Sequence, residues 1–229
     1  MLYIWTDHTG SRATFKLTTC VIKLHTLIRR LFVPSVFIAV AIILSFLKAS
    51  YRTVSIMSKP KTLQLLDGTT TPWIAFGTGT ALFGRHATEA TLRALNAGFT
   101  HIDTAQAYAN EDSTGDAIQQ YLKSNTSKSR ADIYVTTKLA QIPAGETVET
   151  TLRRSLALLK LDYVDLFLVH NPAHHVKREG GLKQVWKEVV EVKKKGLTKS
   201  IGVSNANVKF LEEIISVGED IPTVNQVSY

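Results

Sequence analysis

The chain has 229 residues, of which 45% are hydrophobic and 20% are charged, and its formal net charge is +8. This length and composition predict a globular protein with a sizeable core in one or two domains. Residues 1–56 contribute +6 of the net charge, so the nearly balanced remainder gives no reason to expect nucleic-acid binding. The single cysteine, Cys20, excludes an intramolecular disulfide and fits a reducing compartment.

An uncharged apolar run at residues 31–47 has basic residues on both sides. Its length is at the lower limit for a membrane-spanning helix, and it lies too far into the chain for an ordinary cleaved signal peptide. One interpretation is a membrane anchor within an N-terminal extension, residues 1–56. The other is that the natural chain begins at Met57. A buried helix of a soluble protein is a third alternative.

Beyond this extension, residues 57–229 alternate between strand-like and helix-like segments and are expected to form one domain. Asp67-Gly68 between two apolar stretches indicates a β-hairpin at its start. Six mostly apolar strand-like segments follow, WIAF, HID, IYVTTKL, YVDLFLVH, SIGVSN and TVNQVSY. Strands that alternate with helices in this way predict a parallel sheet covered on both faces.

Two of the predicted helices have a definite apolar face. The faces consist of Ala90, Leu92 and Leu95 in the first helix, and of Val148, Leu152, Leu156 and Leu159 in a later one. Both helices are therefore expected to pack on the sheet through these residues.

Two α/β architectures have this order of elements, a (β/α)8 TIM-type barrel and a doubly wound open sheet. The dinucleotide-binding fingerprint G-x-G-x-x-G is missing after the first strand, because the glycines of GTGTALFG are spaced differently. This weighs against a Rossmann-type sheet. The favoured prediction is an incomplete barrel with six of the eight βα units.

Small or polar residues stand at the end of each of the six predicted strands. In chain order they are Gly77-Thr78, Asp103, Lys138, His170-Asn171, Ser204-Asn205 and Asn225-Gln226. Barrel enzymes carry their active sites at this rim, so Asp103, Lys138 and His170 are expected around one pocket. Tyr108, in the loop after the Asp103 strand, can fold back over the same pocket.

These four side chains suit the protonation of an oxygen atom. A tyrosine is a weak acid with a pKa of about 10, and a nearby ammonium favours its phenolate. Asp103 would hold Lys138 charged and in position, and His170 would donate a hydrogen bond to a carbonyl oxygen. The group therefore predicts carbonyl reduction with a hydride donor.

Other interpretations of these residues are structural or metal-binding. An ion pair beside a packed tyrosine and a core histidine would have no catalytic role. A metal site needs about three protein ligands, whereas the strand ends offer one carboxylate and one histidine, so no metal is predicted. His174 and His175 follow Pro172 in a loop and are expected to be solvated.

Five ordered motifs resemble those of the aldo-keto reductases, and they read GFTHIDTAQAYANE, VTTKL, DLFLVHNP, SIGVSN and NQVSY. The resemblance covers about residues 60–229 and is strongest to the fungal NADPH-dependent members. It implies a (β/α)8 barrel that uses NADPH to reduce small aldehydes and ketones to alcohols. We expect a monomer in the cytoplasm, with membrane anchoring through residues 31–47 as the alternative.

The resemblance also assigns roles to single residues. Tyr108 would be the general acid, assisted by Lys138. Asp103 would be the partner of that lysine, and His170 would orient the substrate carbonyl. Asn171, at a position where the family often has tryptophan, would contact the substrate beside His170. The implied cofactor-binding residues are Gly77, Thr78, Gly79, Asp103, Ser204, Asn205 and Gln226.

The likeness ends at Tyr229, before the last two strands of a complete barrel. The leading hypothesis is therefore a truncated carbonyl reductase of the aldo-keto type. A non-catalytic relative that binds a cofactor or partner through the same surface is the first alternative. A membrane-tethered reductase is the second.

Overall fold

A computed structural model describes residues 61–227 of the chain. The apolar run predicted at residues 31–47, like the rest of the N-terminal extension, lies outside the described residues. Among the helices between residues 61 and 227, none combines the length and hydrophobicity that crossing a bilayer requires.

The described part of the chain begins with an antiparallel hairpin, as predicted from Asp67-Gly68. Its strands are β1 (Thr62–Gln64) and β2 (Thr70–Pro72). Gly68 has a φ of 82°, a left-handed conformation that glycine adopts without steric cost. Asp67 Oδ1 accepts hydrogen bonds from the backbone N–H and the hydroxyl of Thr69, which closes the turn.

Six parallel strands follow, and their order in the sheet is their order along the chain. They are β3 (Phe76–Gly77), β4 (His101–Asp103), β5 (Tyr134–Leu139), β6 (Val164–Val169), β7 (Thr198–Ser204) and β8 (Asn225–Gln226). The register pairs Gly77 with Asp103 and Ser204 with Gln226. The C-terminal ends of the strands, where the candidate residues lie, therefore share one edge of the sheet.

Between residues 61 and 227 the α-helices are α1 (Thr88–Asn96), α2 (Glu111–Ser124), α3 (Val148–Leu159), α4 (Gly181–Lys194) and α5 (Val208–Ile215). Each lies in the connection between two neighbouring strands, because parallel strands need a long crossover. The face predicted for α3 is confirmed, since all four of its apolar residues are buried. Trp186 of α4 and Phe167 of β6 are also fully buried in this layer between sheet and helices.

The buried face of α1 differs from the prediction. It comprises Thr91, Ala94 and Leu95. Ala90 and Leu92 remain partly exposed. Thr88 Oγ1 donates a 2.8 Å hydrogen bond to the backbone oxygen of Ser113 in α2. Of the three predicted residues only Leu95 is therefore buried, and the small residues Thr91 and Ala94 take the places expected for Ala90 and Leu92.

The parallel sheet is curled. Gln226 Nε2 on β8 lies 2.7 Å from Asp103 Oδ2 on β4, although three strands separate β4 from β8. In a flat sheet four strand spacings would put these residues about 19 Å apart. The arrangement is that of a partial (β/α) barrel. The unbroken strand order also excludes the doubly wound alternative, in which the order reverses.

Candidate active site

The four predicted catalytic side chains meet at the C-terminal edge of the curled sheet. Lys138 Nζ on β5 donates hydrogen bonds to Asp103 Oδ1 and, at 3.0 Å, to the backbone oxygen of Thr104. Its third hydrogen bond goes to the hydroxyl of Tyr108 at 3.3 Å. The rings of Tyr108 and His170 meet edge to face, with centroids 5.5 Å apart.

The ion pair at the centre of this group is buried. The side chains of Lys138 and Asp103 are 2% and 10% exposed. An ammonium has three N–H donors, and all three have acceptors here. The charge of Lys138 is therefore held in a fixed position beside the Tyr108 hydroxyl.

Tyr108 is enclosed by the loop that follows β3. A Cβ atom added to Gly79 would lie 2.9 Å from Tyr108 Cζ, so the glycine packs directly on the phenol ring. Gly84 N–H donates to the backbone oxygen of Tyr108 at 2.9 Å. Phe83, which is more than half exposed, meets the ring edge-on at 6.1 Å. Sequence reasoning missed this enclosure.

His170 follows β6 directly and is half-buried. Burial, together with the nearby Lys138 charge, lowers the pKa of His170 to about 4. Its imidazole is therefore neutral at neutral pH, with one nitrogen as donor and the other as acceptor. Such a ring can orient a carbonyl oxygen without being charged.

A cavity of about 360 Å³ adjoins His170. Its lining consists of Ala107, Ala140, Gln141, His170, Asn171, His174 and Asn205. Asn171 was predicted to contact the substrate and lies in this lining, where its Oδ1 also accepts a hydrogen bond from Ala173 N–H. The cavity falls within the size range of small-molecule sites.

The two histidines of the following loop have different environments. His174 is exposed, as predicted, but His175 is only 2% exposed, so the prediction that it is solvated is wrong. The turn that starts at Pro172 packs against α4 and turns His175 inward. Burial lowers the pKa of His175 to about 4. Within residues 61–227, no three His, Cys, Asp or Glu side chains are grouped to hold a metal ion.

Two of the predicted cofactor-binding residues present amides at the ends of β7 and β8. Asn205 is exposed and has a left-handed φ of 56°, and its Nδ2 donates to the backbone oxygen of His170 at 3.1 Å. Gln226 is exposed and donates to Asp103 Oδ2. The hydroxyl of the buried Ser204 donates to the backbone oxygen of Gln226. These amides therefore border the pocket that holds the four predicted catalytic side chains.

The other predicted cofactor-binding residues lie in the loop after β3. Gly77 closes β3 and pairs with Asp103, and Thr78 is fully buried. The Thr78 hydroxyl donates to Thr104 Oγ1 at 2.9 Å. This side chain therefore ties the loops after β3 and β4 together, while Gly79 packs on Tyr108.

Two buried polar residues beside the site were not predicted. Asn110 and Glu111 are 1% and 4% exposed. Glu111 Oε1 accepts a 2.6 Å hydrogen bond from Thr137, the residue before Lys138, and burial raises the pKa of Glu111. The signal available in the sequence was their position two and three residues after Tyr108, in AYANE.

Comparison with known proteins gives a consistent family match. The sequence profile described as "Aldo/keto reductase family" matches residues 74–229. An aldo-keto reductase of Mycolicibacterium vanbaalenii is 41% identical over 167 residues, which cover 72% of this chain and 57% of the relative. A glyoxal reductase of Bacillus subtilis is 34% identical and covers 73% and 58% of the two chains. A solved Bombyx mori aldo-keto reductase in complex with NADP has a TM-score of 0.64 at 32% identity, over 74% of this chain and 58% of the other.

The chain spans a little over half the length of the curated relatives it matches. The relatives include bacterial, animal and plant proteins, so the particular likeness to fungal members stays a prediction. The profile match covers well over half of the chain, and the identities exceed 30% over nearly three quarters of it. The chain belongs to the aldo/keto reductase family.

Proposed function

We propose that this chain is an NADPH-dependent oxidoreductase that reduces aldehydes and ketones to alcohols, with Tyr108 as the proton donor. The observation that supports this most is the 3.3 Å contact between the Tyr108 hydroxyl and the fully hydrogen-bonded Lys138 ammonium. Similar proteins include glyoxal and methylglyoxal reductases. Solved structures similar to this chain include complexes with NADP and NADPH. A monomer in the cytoplasm is part of the proposal.

The donor set at the ends of β7 and β8 fits the nicotinamide end of the cofactor. A carboxamide needs both donors and acceptors, and Ser204, Asn205 and Gln226 offer a hydroxyl and two amides. The amides contact His170 and Asp103, so a group held there borders Tyr108. When bound, NADPH supplies the hydride that the carbonyl carbon receives.

Tyr108 is the group that would supply the proton. Negative charge develops on the carbonyl oxygen as the carbon is reduced, and a positioned acid lowers the energy of that state. Proton release from Tyr108 leaves a phenolate, which the Lys138 ammonium stabilises. Asp103 in turn holds the ammonium in place.

His170 would orient the substrate. Because its pKa is lowered to about 4, the ring carries no extra proton to give at neutral pH, and this leaves proton donation to Tyr108. The neutral ring can still donate one N–H to the carbonyl oxygen. The rest of a small carbonyl compound would occupy the adjoining cavity of about 360 Å³.

The test is NADPH consumption with a panel of aldehydes and ketones that includes methylglyoxal, in the wild-type chain and in Tyr108→Phe. We expect turnover by the wild type and a rate lower by about 10²–10⁴-fold in the variant. Quenching of intrinsic fluorescence by NADPH should be the same in both. If both chains bind NADPH and are equally inert, the non-catalytic alternative is correct. Failure of NADPH to quench the wild type would overturn the assignment of the cofactor.

A further inference from the structure

Asn110 occupies the N-cap position of α2 but does not cap the helix. Asparagine at this position usually accepts a hydrogen bond from an N–H of the first turn, and the Asn110 side chain makes none. Instead, Nδ2 donates to the backbone oxygens of Thr78 and Leu82, both at 2.8 Å. Its Oδ1 accepts from the hydroxyl of Thr78 at 3.2 Å. The Thr104 hydroxyl also lies 3.4 Å from Oδ1.

These bonds join the loop that carries Tyr108 to the loop that packs on its ring. Residues 78–82 belong to the loop after β3, and Asn110 belongs to the loop after β4 that carries Tyr108 itself. Between the anchored Thr78 and Leu82 lies Gly79, which packs on the phenol ring. The position of the ring therefore depends on the distance between the two loops.

An asparagine suits this place for a chemical reason. The site contains two backbone oxygens, which accept hydrogen bonds, and the Thr78 hydroxyl, which can donate one. A primary amide supplies two N–H groups and one oxygen. An aspartate would lack the donors. An alanine would leave the buried oxygens of Thr78 and Leu82 without these partners, which is unfavourable in a site that is 1% exposed.

We infer that Asn110 is a positioning residue for Tyr108. Its amide holds the loop after β3 against the phenol ring, and this keeps the Tyr108 hydroxyl beside Lys138. The effect of Asn110 on catalysis rests on the proposed function. Its effect on the position of the Tyr108 ring is independent of that function.

The first experiment measures the position of the Tyr108 ring by NMR of the chain with isotope-labelled tyrosine. The Tyr108 signals are assigned by their loss in Tyr108→Phe, and the measured quantity is the NOE between the Tyr108 and His170 rings, which meet edge to face. We expect Asn110→Ala to lose this NOE. The matched control is Asn125→Ala, because Asn125 Nδ2 donates to a backbone oxygen, that of Tyr121, at the other end of α2. The control should keep the NOE.

The second experiment measures catalysis. Since a displacement of about 1 Å can cost about a hundredfold in rate, we expect kcat of Asn110→Ala to fall by about that factor with little change in KM. Asn125→Ala should keep the wild-type kcat. Thr78→Val removes the hydroxyl that lies 2.9 Å from Thr104 Oγ1 and 3.2 Å from Asn110 Oδ1. This variant should weaken the NOE even if Asn110→Ala does not fold.

An unchanged NOE in folded Asn110→Ala would overturn the inference, and so would an equal loss in Asn125→Ala. Should Asn110→Ala not fold, an unchanged NOE in Thr78→Val would overturn it. If the wild type shows the NOE but no turnover, and the NOE is lost in Asn110→Ala, the proposed function fails while the positioning role stands.

Discussion

The Lys138 ammonium lies 3.3 Å from the hydroxyl oxygen of Tyr108 and is paired with the Asp103 carboxylate. Lys138 itself is 2% exposed. Little water can reach this ammonium to replace a lost partner, and the same holds for the carboxylate. Each charge therefore depends on the other for its stability inside the sheet.

Lys138→Met should be strongly destabilising because it leaves the buried Asp103 carboxylate without its counter-charge. We expect the free energy of unfolding to fall by about 3–5 kcal/mol, measured by urea denaturation. Adding Asp103→Asn should recover part of this loss. The control is Arg93→Met, whose ion pair with Glu89 is exposed and should cost less than about 1 kcal/mol. Equal losses in Lys138→Met and Arg93→Met would show that the buried ion pair does not stabilise the fold more than an exposed one.

Gln226→Leu tests the bond that joins β8 to β4. This bond reaches a charged carboxylate oxygen of Asp103, so its loss should lower the free energy of unfolding by about 1–2 kcal/mol. Gln119→Leu is the matched control, because Gln119 donates to the neutral backbone oxygen of Lys160 at an exposed site. Its loss should be smaller, about 0.5 kcal/mol. If thermal unfolding shows no difference between the two variants, the Gln226 bond does not stabilise the curled sheet.

Gly79→Ala should impair catalysis more than stability. The φ of Gly79 is −77°, which alanine adopts freely, so the only new feature is a methyl group 2.9 Å from Tyr108 Cζ. We expect the ring to move and kcat to fall by tenfold or more, toward the roughly hundredfold cost of a 1 Å displacement. An alanine at Gly77 meets no atom within 4 Å and should leave the Tyr108–His170 NOE intact. Wild-type kcat in Gly79→Ala would show that the contact is unimportant.

Two buried or half-buried histidines should make the fold sensitive to acid. The pKa of His170 and of His175 is lowered from 6.5 to about 4, so between these pH values the unfolded chain binds more protons than the folded one. Stability that is fully present above pH 6.5 is then lost as the pH falls toward 4. We expect a loss of about 3–5 kcal/mol, which is less than two full shifts would give because His170 is partly screened by solvent.

His175→Gln isolates one of these histidines. The variant should lose less free energy of unfolding than the wild type between pH 6.5 and pH 4, because one lowered pKa has been removed. Urea denaturation at a series of pH values measures the slope. Parallel slopes in the two chains would mean that His175 does not titrate with unfolding.

The sequence alone predicted much of the fold, because strand periodicity and strand-end residues are local signals. All six parallel strands and the apolar face of α3 were found in this way. Asp103, Lys138 and His170 were placed together because parallel strands end at one edge of a sheet. Tyr108 was added from its position in the loop after β4.

What the sequence did not reveal depends on contacts between distant residues. The Gln226–Asp103 bond spans 123 positions and exists only because the sheet curls. The packing of Gly79 on Tyr108 requires the relative position of two loops. Asn110 was missed because an asparagine before a helix is ordinarily a cap. His175 was misjudged because its burial comes from a turn that packs against α4.

Under the proposed function, NADPH transfers a hydride to a carbonyl compound while Tyr108 supplies the proton. The most direct test supplies NADPH that carries deuterium at the transferable position and analyses the product alcohol by mass spectrometry, in the wild type and in Tyr108→Phe. We expect one deuterium in each product molecule, formed about 10²–10⁴-fold more slowly by the variant. Product without deuterium, or equal rates in the two chains, would contradict the proposed function.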